Sequence, residues 1–348
     1  MDPQNNLLKK LDKLLLLMTL LLLLIGGAIV LTISFATGFF SFEQALTKIP
    51  TKETEEAAAQ AIEKNLVEEN IWTAPDTTDI PNTPEGDLIR YGRELIAHTS
   101  VYLGPKGKVR QISNGLNCQN CHLQGGTLPY GNNFSVTAWS YPKTRKRSGL
   151  NEDFVYRVNG CFERSMNGQK LDPESREMKA FIAYFMWMGQ GVKKGERPFG
   201  TGLQKVSLLD RAADPEKGKA LYAQHCTVCH GPDGQGVMAP TGLEYVYPPI
   251  FGENSFNTGA GMYRLEKFAS FIKTNMPLGV TYKNPALTDE ECWDIAAFVN
   301  SQPRPEKDLS ADWPNIADKP YDHPFGPFAD DFTEEEHKYG PYQKMLKK

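Results

Sequence analysis

Cys118-Gln119-Asn120-Cys121-His122 and Cys226-Thr227-Val228-Cys229-His230 write one pattern, Cys-x-x-Cys-His, twice in the chain. Two thiols one helical turn apart can add to the two vinyl groups of one haem. The adjacent imidazole then reaches its iron, so this is the attachment signature of c-type haem. A structural zinc site would need Cys-x-x-Cys pairs about 12–20 residues apart, whereas Cys121 and Cys226 are separated by 105 positions. A thioredoxin-like dithiol explains neither the histidine nor the duplication. The pattern predicts two covalently bound haem c groups, on Cys118 with Cys121 and on Cys226 with Cys229, with His122 and His230 as iron ligands.

Around each motif the chain follows the same plan. Leu88, Tyr91, Leu95 and Ile96 have helical spacing before the first motif, and Ser175 to Gln190 reads as a closing helix with Met178, Ile182, Phe185 and Met186 on one side. In the second half, Gly218 to His225 runs into Cys226, and Leu287 to Ser301 closes the unit with Asp289 and Glu290 near its start, where the helix dipole favours acids. Ala74 to Pro84 reads as an extended linker and Pro198 to Lys205 as an interdomain linker. His323-Pro324-Phe325-Gly326-Pro327-Phe328 is too apolar for a free tail.

Each iron needs a sixth ligand or an open face. In the second half, Asn275-Met276-Pro277-Leu278-Gly279 sets a methionine before proline ahead of the closing helix. This resembles the distal methionine of class I cytochromes c and gives the high potential suited to electron transfer. Met262 and Lys273 are rival ligands. The first half has no Met-Pro but has Cys161, 39 residues beyond His122, in Asn159 to Gly168. A thiolate there would lower the iron's potential; a buried free thiol, or a disulfide with Cys292, is the plainer reading. From Pro142 to Lys170 seven basic residues face three acidic ones (Glu152, Asp153 and Glu163), in a chain of net charge −4. Such a patch would attract a small anion.

From Leu14 to Phe40 no residue is charged. As a helix this run reaches about 40 Å, more than the ~30 Å hydrocarbon core of a bilayer, and a signal-peptide core is only about 7–15 residues long. Lys9, Lys10 and Lys13 flank its start and keep that end in the cytoplasm. Ala36-Thr37-Gly38 is the one imitation of a cleavage site. Thr51 to Asn70 reads as an amphipathic helical spacer.

The chain has 348 residues, with 40% hydrophobic and 23% charged, which suits about two domains and excludes a disordered protein. Its mild acidity argues against nucleic acid as a partner.

On these residues the chain resembles the thiosulfate dehydrogenases, tetrathionate-forming dihaem cytochromes c. The likeness rests on Leu88 to Ile96, Asn117 to Leu123, Asn159 to Gly168, Asn275 to Gly279 and His323 to Tyr342. It implies a mainly α fold of two class I cytochrome c-like domains in tandem; the one N-terminal transmembrane helix expected from the uncharged run is a departure from soluble members of the family. The expected layout is a cytoplasmic N-terminus (1–13), anchor (14–40), spacer and linker (41–84), first cytochrome c domain (85–200), second (205–303) and a packed tail (304–348). The resemblance further implies His122 and Cys161 on the first iron and His230 and Met276 on the second. It places Arg147, Arg157 and Ser165 at the substrate, and makes thiosulfate, tetrathionate and a periplasmic or membrane electron carrier the partners. A non-catalytic dihaem electron carrier, or another thiolate-haem sulfur-oxidising cytochrome, is the alternative.

If the uncharged run is an inner-membrane anchor, the protein should remain with membranes after a high-salt wash, its body cleaved by protease added from the exported side. Recovery of a soluble chain beginning near Thr37 to Ser41 would show signal cleavage instead.

Overall fold

Thr83-Pro84-Glu85 and Asp214-Pro215-Glu216 start the leading helix of each half in the same way. The side chains of Thr83 and Asp214 accept hydrogen bonds from Gly86 N and from Glu216 N and Lys217 N, and proline takes the first helical position, where its missing N–H costs nothing. The computed structural model describes residues 70–346, together with 13, 15–22 and 25. The expected anchor and spacer otherwise lie outside the described residues. Residues 15–22 are helical and exposed, and no helix among the described residues is long and apolar enough to cross a membrane.

Among the described residues six longer helices carry the fold: α1 (Pro84–Ala97), α2 (Phe154–Arg164), α3 (Arg176–Met188), α4 (Pro215–His225), α5 (Leu265–Asn275) and α6 (Asp289–Ser301). Two small antiparallel hairpins accompany them, β1 (Lys143–Thr144) with β2 (Asn151–Glu152), and β3 (Val237–Met238) with β4 (Tyr245–Tyr247). The protein is therefore mainly helical.

Residues from 70 onward form one compact unit with two apolar cores. In the first, α1 packs on α3 around Leu95, Ile96, Phe181 and Tyr184. In the second, α4 and α5 pack on α6 around Tyr222, Leu265, Trp293 and Val299. Both leading helices cross their closing helix at a glycine. A Cβ on Gly92 would lie 2.1 Å from Ala180 O, and one on Gly218 would lie 1.8 Å from Asp294 O.

Three local expectations differ from the structure. Met186 is 42% exposed, because at 100° per residue it falls outside the stripe formed by Met178, Phe181, Tyr184 and Phe185. The stretch before Pro84 is not a bare linker. Trp72 and Ile80 are buried in the first core, Trp72 N donates to Phe199 O at 2.9 Å, and Arg90 donates to Ile80 O and Pro81 O. Residues 198–205 pack back on the first half, with Gly200 O accepting from Tyr130 N at 2.7 Å and from Asn133 Nδ2 at 2.8 Å. Proline and polar content marked both segments, but the buried apolar residues decide their packing.

Part of the tail is buried in the folded unit. His323, His337 and Tyr342 are buried, and Tyr342 lies against Trp293 at 5.5 Å between ring centroids. The halves are tied directly as well. Ser100 Oγ donates to Leu243 O at 2.6 Å, and Glu244 accepts from Asn117 Nδ2 at 3.0 Å while pairing with His98.

Gly218→Ala should destabilise the holoprotein by about 1–3 kcal/mol through overpacking, with haem attachment intact. Denaturant unfolding checks this; an unchanged midpoint would show that the helices can separate freely.

Candidate functional site

Helix α2 starts where Asp153 accepts from Tyr156 N. Arg157, Cys161 and Ser165 follow at four-residue intervals, so they share one stripe. Asn159 locks the loop beyond the helix, accepting from Leu171 N at 2.8 Å and donating to Leu171 O at 3.0 Å. The stripe faces a cavity of about 260 Å³ that is also lined by Cys118, Cys121 and His122. Phe134, Phe154, Phe162, Phe181 and Phe185 supply apolar walls.

Both motif histidines are oriented alike. His122 Nδ1 donates to Asn132 O at 2.6 Å, and His230 Nδ1 donates to Pro248 O at 2.8 Å. In each ring this fixes the tautomer and leaves the Nε2 lone pair for a metal. Burial lowers His122 to about 4 and pulls His230 down too, so both rings are neutral at physiological pH. Phe134 stacks on His122 at 4.6 Å and limits its rotation. Paired thiols, a neutral imidazole presenting Nε2 and aromatic walls in one cavity fit a covalently held haem, with Cys161 lining the same space.

Residues 215–303, which contain Cys226, Cys229, His230 and Met276, match the cytochrome c family. A cytochrome c domain carries covalently attached haem c. The thiosulfate dehydrogenase of Psychrobacter arcticus is 38% identical over 286 residues, covering 77% of this chain and 84% of that protein. The thiosulfate dehydrogenase of Stutzerimonas stutzeri is 38% identical over 242 residues, covering 68% and 74%.

The chain belongs to the thiosulfate dehydrogenase family.

Among solved structures, thiosulfate dehydrogenase TsdBA from Marichromatium purpuratum, in its as-isolated form, is 32% identical with a TM-score of 0.62. The match covers 68% of this chain and 50% of that one, so the chain spans half the length of that protein. Membership makes the protein an oxidoreductase.

Within this thiosulfate dehydrogenase fold, the expected site residues do not all converge. Arg157 lines the cavity, and its guanidinium is held above its usual range, first by the Cys161 sulfur and less by Tyr141 and Glu152. Arg147 does not line it. Its Nη1 donates to Gly259 O at 3.1 Å, its Nε is 3.8 Å from Asp312, and its guanidinium sits over Trp313 at 5.5 Å. Burial lowers Arg147 to about 10. Trp313 holds a left-handed φ of 61° and donates its N–H to Arg147 O at 2.6 Å. This backbone conformation is unusual for a bulky residue. Tail contacts therefore set the direction of Arg147, which no spacing rule could foresee.

Cys161 and Cys292 are not bridged. Cys161 lines the first cavity, whereas Cys292 is buried in the second core and burial pushes its thiol up to about 12. Met276 follows α5 with its N–H on Ile272 O at 2.9 Å and packs against the second core. The rival Lys273 is committed elsewhere, donating to Leu287 O at 2.8 Å and pairing with Asp289 at 2.8 Å. Met262 sits in the short turn Gly261–Tyr263, its carbonyl accepting from Asn300.

Tyr141, Lys143 and Arg145 also line the cavity and were not singled out from sequence as site residues. The basic run signalled charge there, but not which cations turn inward.

Proposed function

We propose that this chain is a membrane-anchored dihaem thiosulfate dehydrogenase built from two tandem class I cytochrome c domains. The reaction is 2 S2O3(2−) → S4O6(2−) + 2 e−, or its reverse. The first haem would be held by Cys118, Cys121, His122 and Cys161, and the second by Cys226, Cys229, His230 and Met276. The observation that carries this reading is the α2 stripe: Arg157, Cys161 and Ser165 open into the cavity that holds the first motif. A plain electron carrier has no use for that stripe.

The two haems would supply one-electron sinks, matching the two electrons released. The residues supply the rest. Arg157 offsets the charge of a bound dianion, and the Ser165 hydroxyl offers a further donor. The Cys161 thiolate forms an S–S bond to the outer sulfur of one thiosulfate, releasing two electrons and leaving Cys161–S–S–SO3(−). A second thiosulfate attacks that outer sulfur, tetrathionate departs, and the bond to Cys161 breaks to return its thiolate.

A continuous bonded route supports electron passage between the halves. His122 is bonded to Asn132 O, and two residues earlier Tyr130 O accepts from Asn275 Nδ2 at 3.2 Å. Asn275 immediately precedes Met276. The uncharged run Leu14 to Phe40 would anchor this body on the exported face of the inner membrane, delivering electrons to a periplasmic or membrane carrier.

Cys161→Gly should keep two covalent haems, change the axial spectrum of one, and lower thiosulfate turnover by roughly a thousandfold or more, the scale of losing an essential nucleophile. Near-normal turnover would remove Cys161 from the mechanism.

Met276→Ala should abolish the weak near-infrared methionine–iron charge-transfer band and lower the potential of one haem only. Persistence of the band would assign the ligand to Met262 or another residue.

A further inference from the structure

Joining two thiosulfates brings four negative charges together, and the α2 stripe offers one fixed cation, Arg157. A second basic wall lies in the same cavity. Tyr141 precedes β1, Lys143 lies in it and Arg145 follows it, and all three line the cavity with Arg157 and Cys161. This wall is in register with the stripe through a short, direct connection. Lys143 pairs with Glu152 and Thr144 with Asn151 across the hairpin, and β2 runs straight into Asp153, the residue capping α2.

The chemistry of the wall suits an oxyanion. Arg145 forms a long ion pair with Glu152, Nε to Oε2 at 3.8 Å and short of a hydrogen bond, while Glu152 Oε1 accepts from Ser148 Oγ at 2.8 Å. Lys143 is exposed. The Tyr141 ring packs on Phe154 at 5.5 Å, and its hydroxyl oxygen accepts a hydrogen bond from the Arg157 side chain, joining the wall to the stripe. Arg147, by contrast, donates to Gly259 O, sits over Trp313 and does not line the cavity.

We propose that Tyr141, Lys143 and Arg145 form a second sulfonate subsite. It receives the SO3 end of the second thiosulfate or, in reverse, the far sulfonate of tetrathionate. The inference rests on the thiosulfate reading above. It assigns the two anions to different elements, the first to α2 and the second to the β1 wall, nearer solvent. The second anion then enters after the first, and the hairpin sets the distance between them.

The test uses the holoprotein at fixed ionic strength, because added salt screens any cation. Thiosulfate is titrated against electrochemically reduced protein, which has no electron sink, with the first haem's absorption reporting the inner anion. Steady-state KM is measured for thiosulfate and for tetrathionate. In the double variant Lys143→Gln, Arg145→Gln the inner-anion affinity should change less than about twofold, while both KM values rise about tenfold or more, the scale of losing a charge-assisted hydrogen bond. Arg145→Lys should recover part of the loss, and Tyr141→Phe should raise KM for tetrathionate without changing haem content.

Unchanged KM values in the double variant would overturn the subsite. So would a parallel fall in inner-anion affinity, which would mean a diffuse field rather than a second position. A wild-type protein that responds to neither thiosulfate nor tetrathionate would defeat the thiosulfate reading itself, and the subsite with it. That failure is separable because it appears before any substitution.

Discussion

In each half a leading helix must lie almost backbone to backbone on its closing helix, and the rest of the molecule is arranged around these two crossings. Gly92 and Gly218 sit at the contacts, where a methyl group would strike a carbonyl of the opposing helix. In the second half the Cys-x-x-Cys-His motif starts where the leading helix ends; in the first it follows a short helix, Thr99–Leu103, and a loop. Cys226 is itself the cap of α4, with its N–H on Tyr222 O at 2.9 Å. Cys118 is tied to the end of the first helical segment through Thr99 Oγ1 at 2.9 Å. Each histidine is then aimed by a carbonyl from the loop beyond the motif. The placement of both motifs thus depends on helix crossings that touch neither.

The same economy governs charge. Of the basic residues between 142 and 170, Lys143, Arg145 and Arg157 line the cavity. Others meet the C-terminal tail: Lys146 pairs with Asp318 at 2.6 Å, Arg164 makes two bonds to Asp312 at 2.7 and 2.9 Å, and Arg147 lies beside that carboxylate. Asp312 thereby neutralises guanidinium charge that would otherwise be buried without a partner, a situation that costs about 3–5 kcal/mol when a buried pair is broken. The tail compensates the cations that point away, while Lys143, Arg145 and Arg157 stay on the cavity side. A segment with little periodicity of its own thus tunes the electrostatics of the first half.

The halves share a plan but differ where chemistry differs. In the second, Met276 follows α5 and packs against an apolar core, an environment suited to a neutral thioether. In the first, the cavity is lined by three cysteines, two serines and three cations beside a phenylalanine wall. Arg157 stands next to Cys161 in that space. The first cavity is thus polar and basic, whereas the surroundings of Met276 are apolar.

The Cys-x-x-Cys-His spacing and the leading and closing helices of both halves were legible in the amino-acid sequence, whereas α2 and α5 stand where it suggested long loop regions. The legible features depend on spacings of one to four residues, which covalent reach and the helical turn determine locally. The tertiary structure alone decided which cations face the cavity. Arg147 is turned by Asp312, Trp313 and Gly259, more than a hundred positions away, whereas Arg145 is presented by a two-residue hairpin with no periodic signal. It also decided that Trp72 and residues 198–202 belong to the packed first half, since their polar and proline-rich surroundings conceal apolar and backbone contacts made across the chain. Local chemistry is written in neighbouring residues, but the direction of a long charged side chain is set by whichever distant carboxylates and carbonyls folding brings beside it.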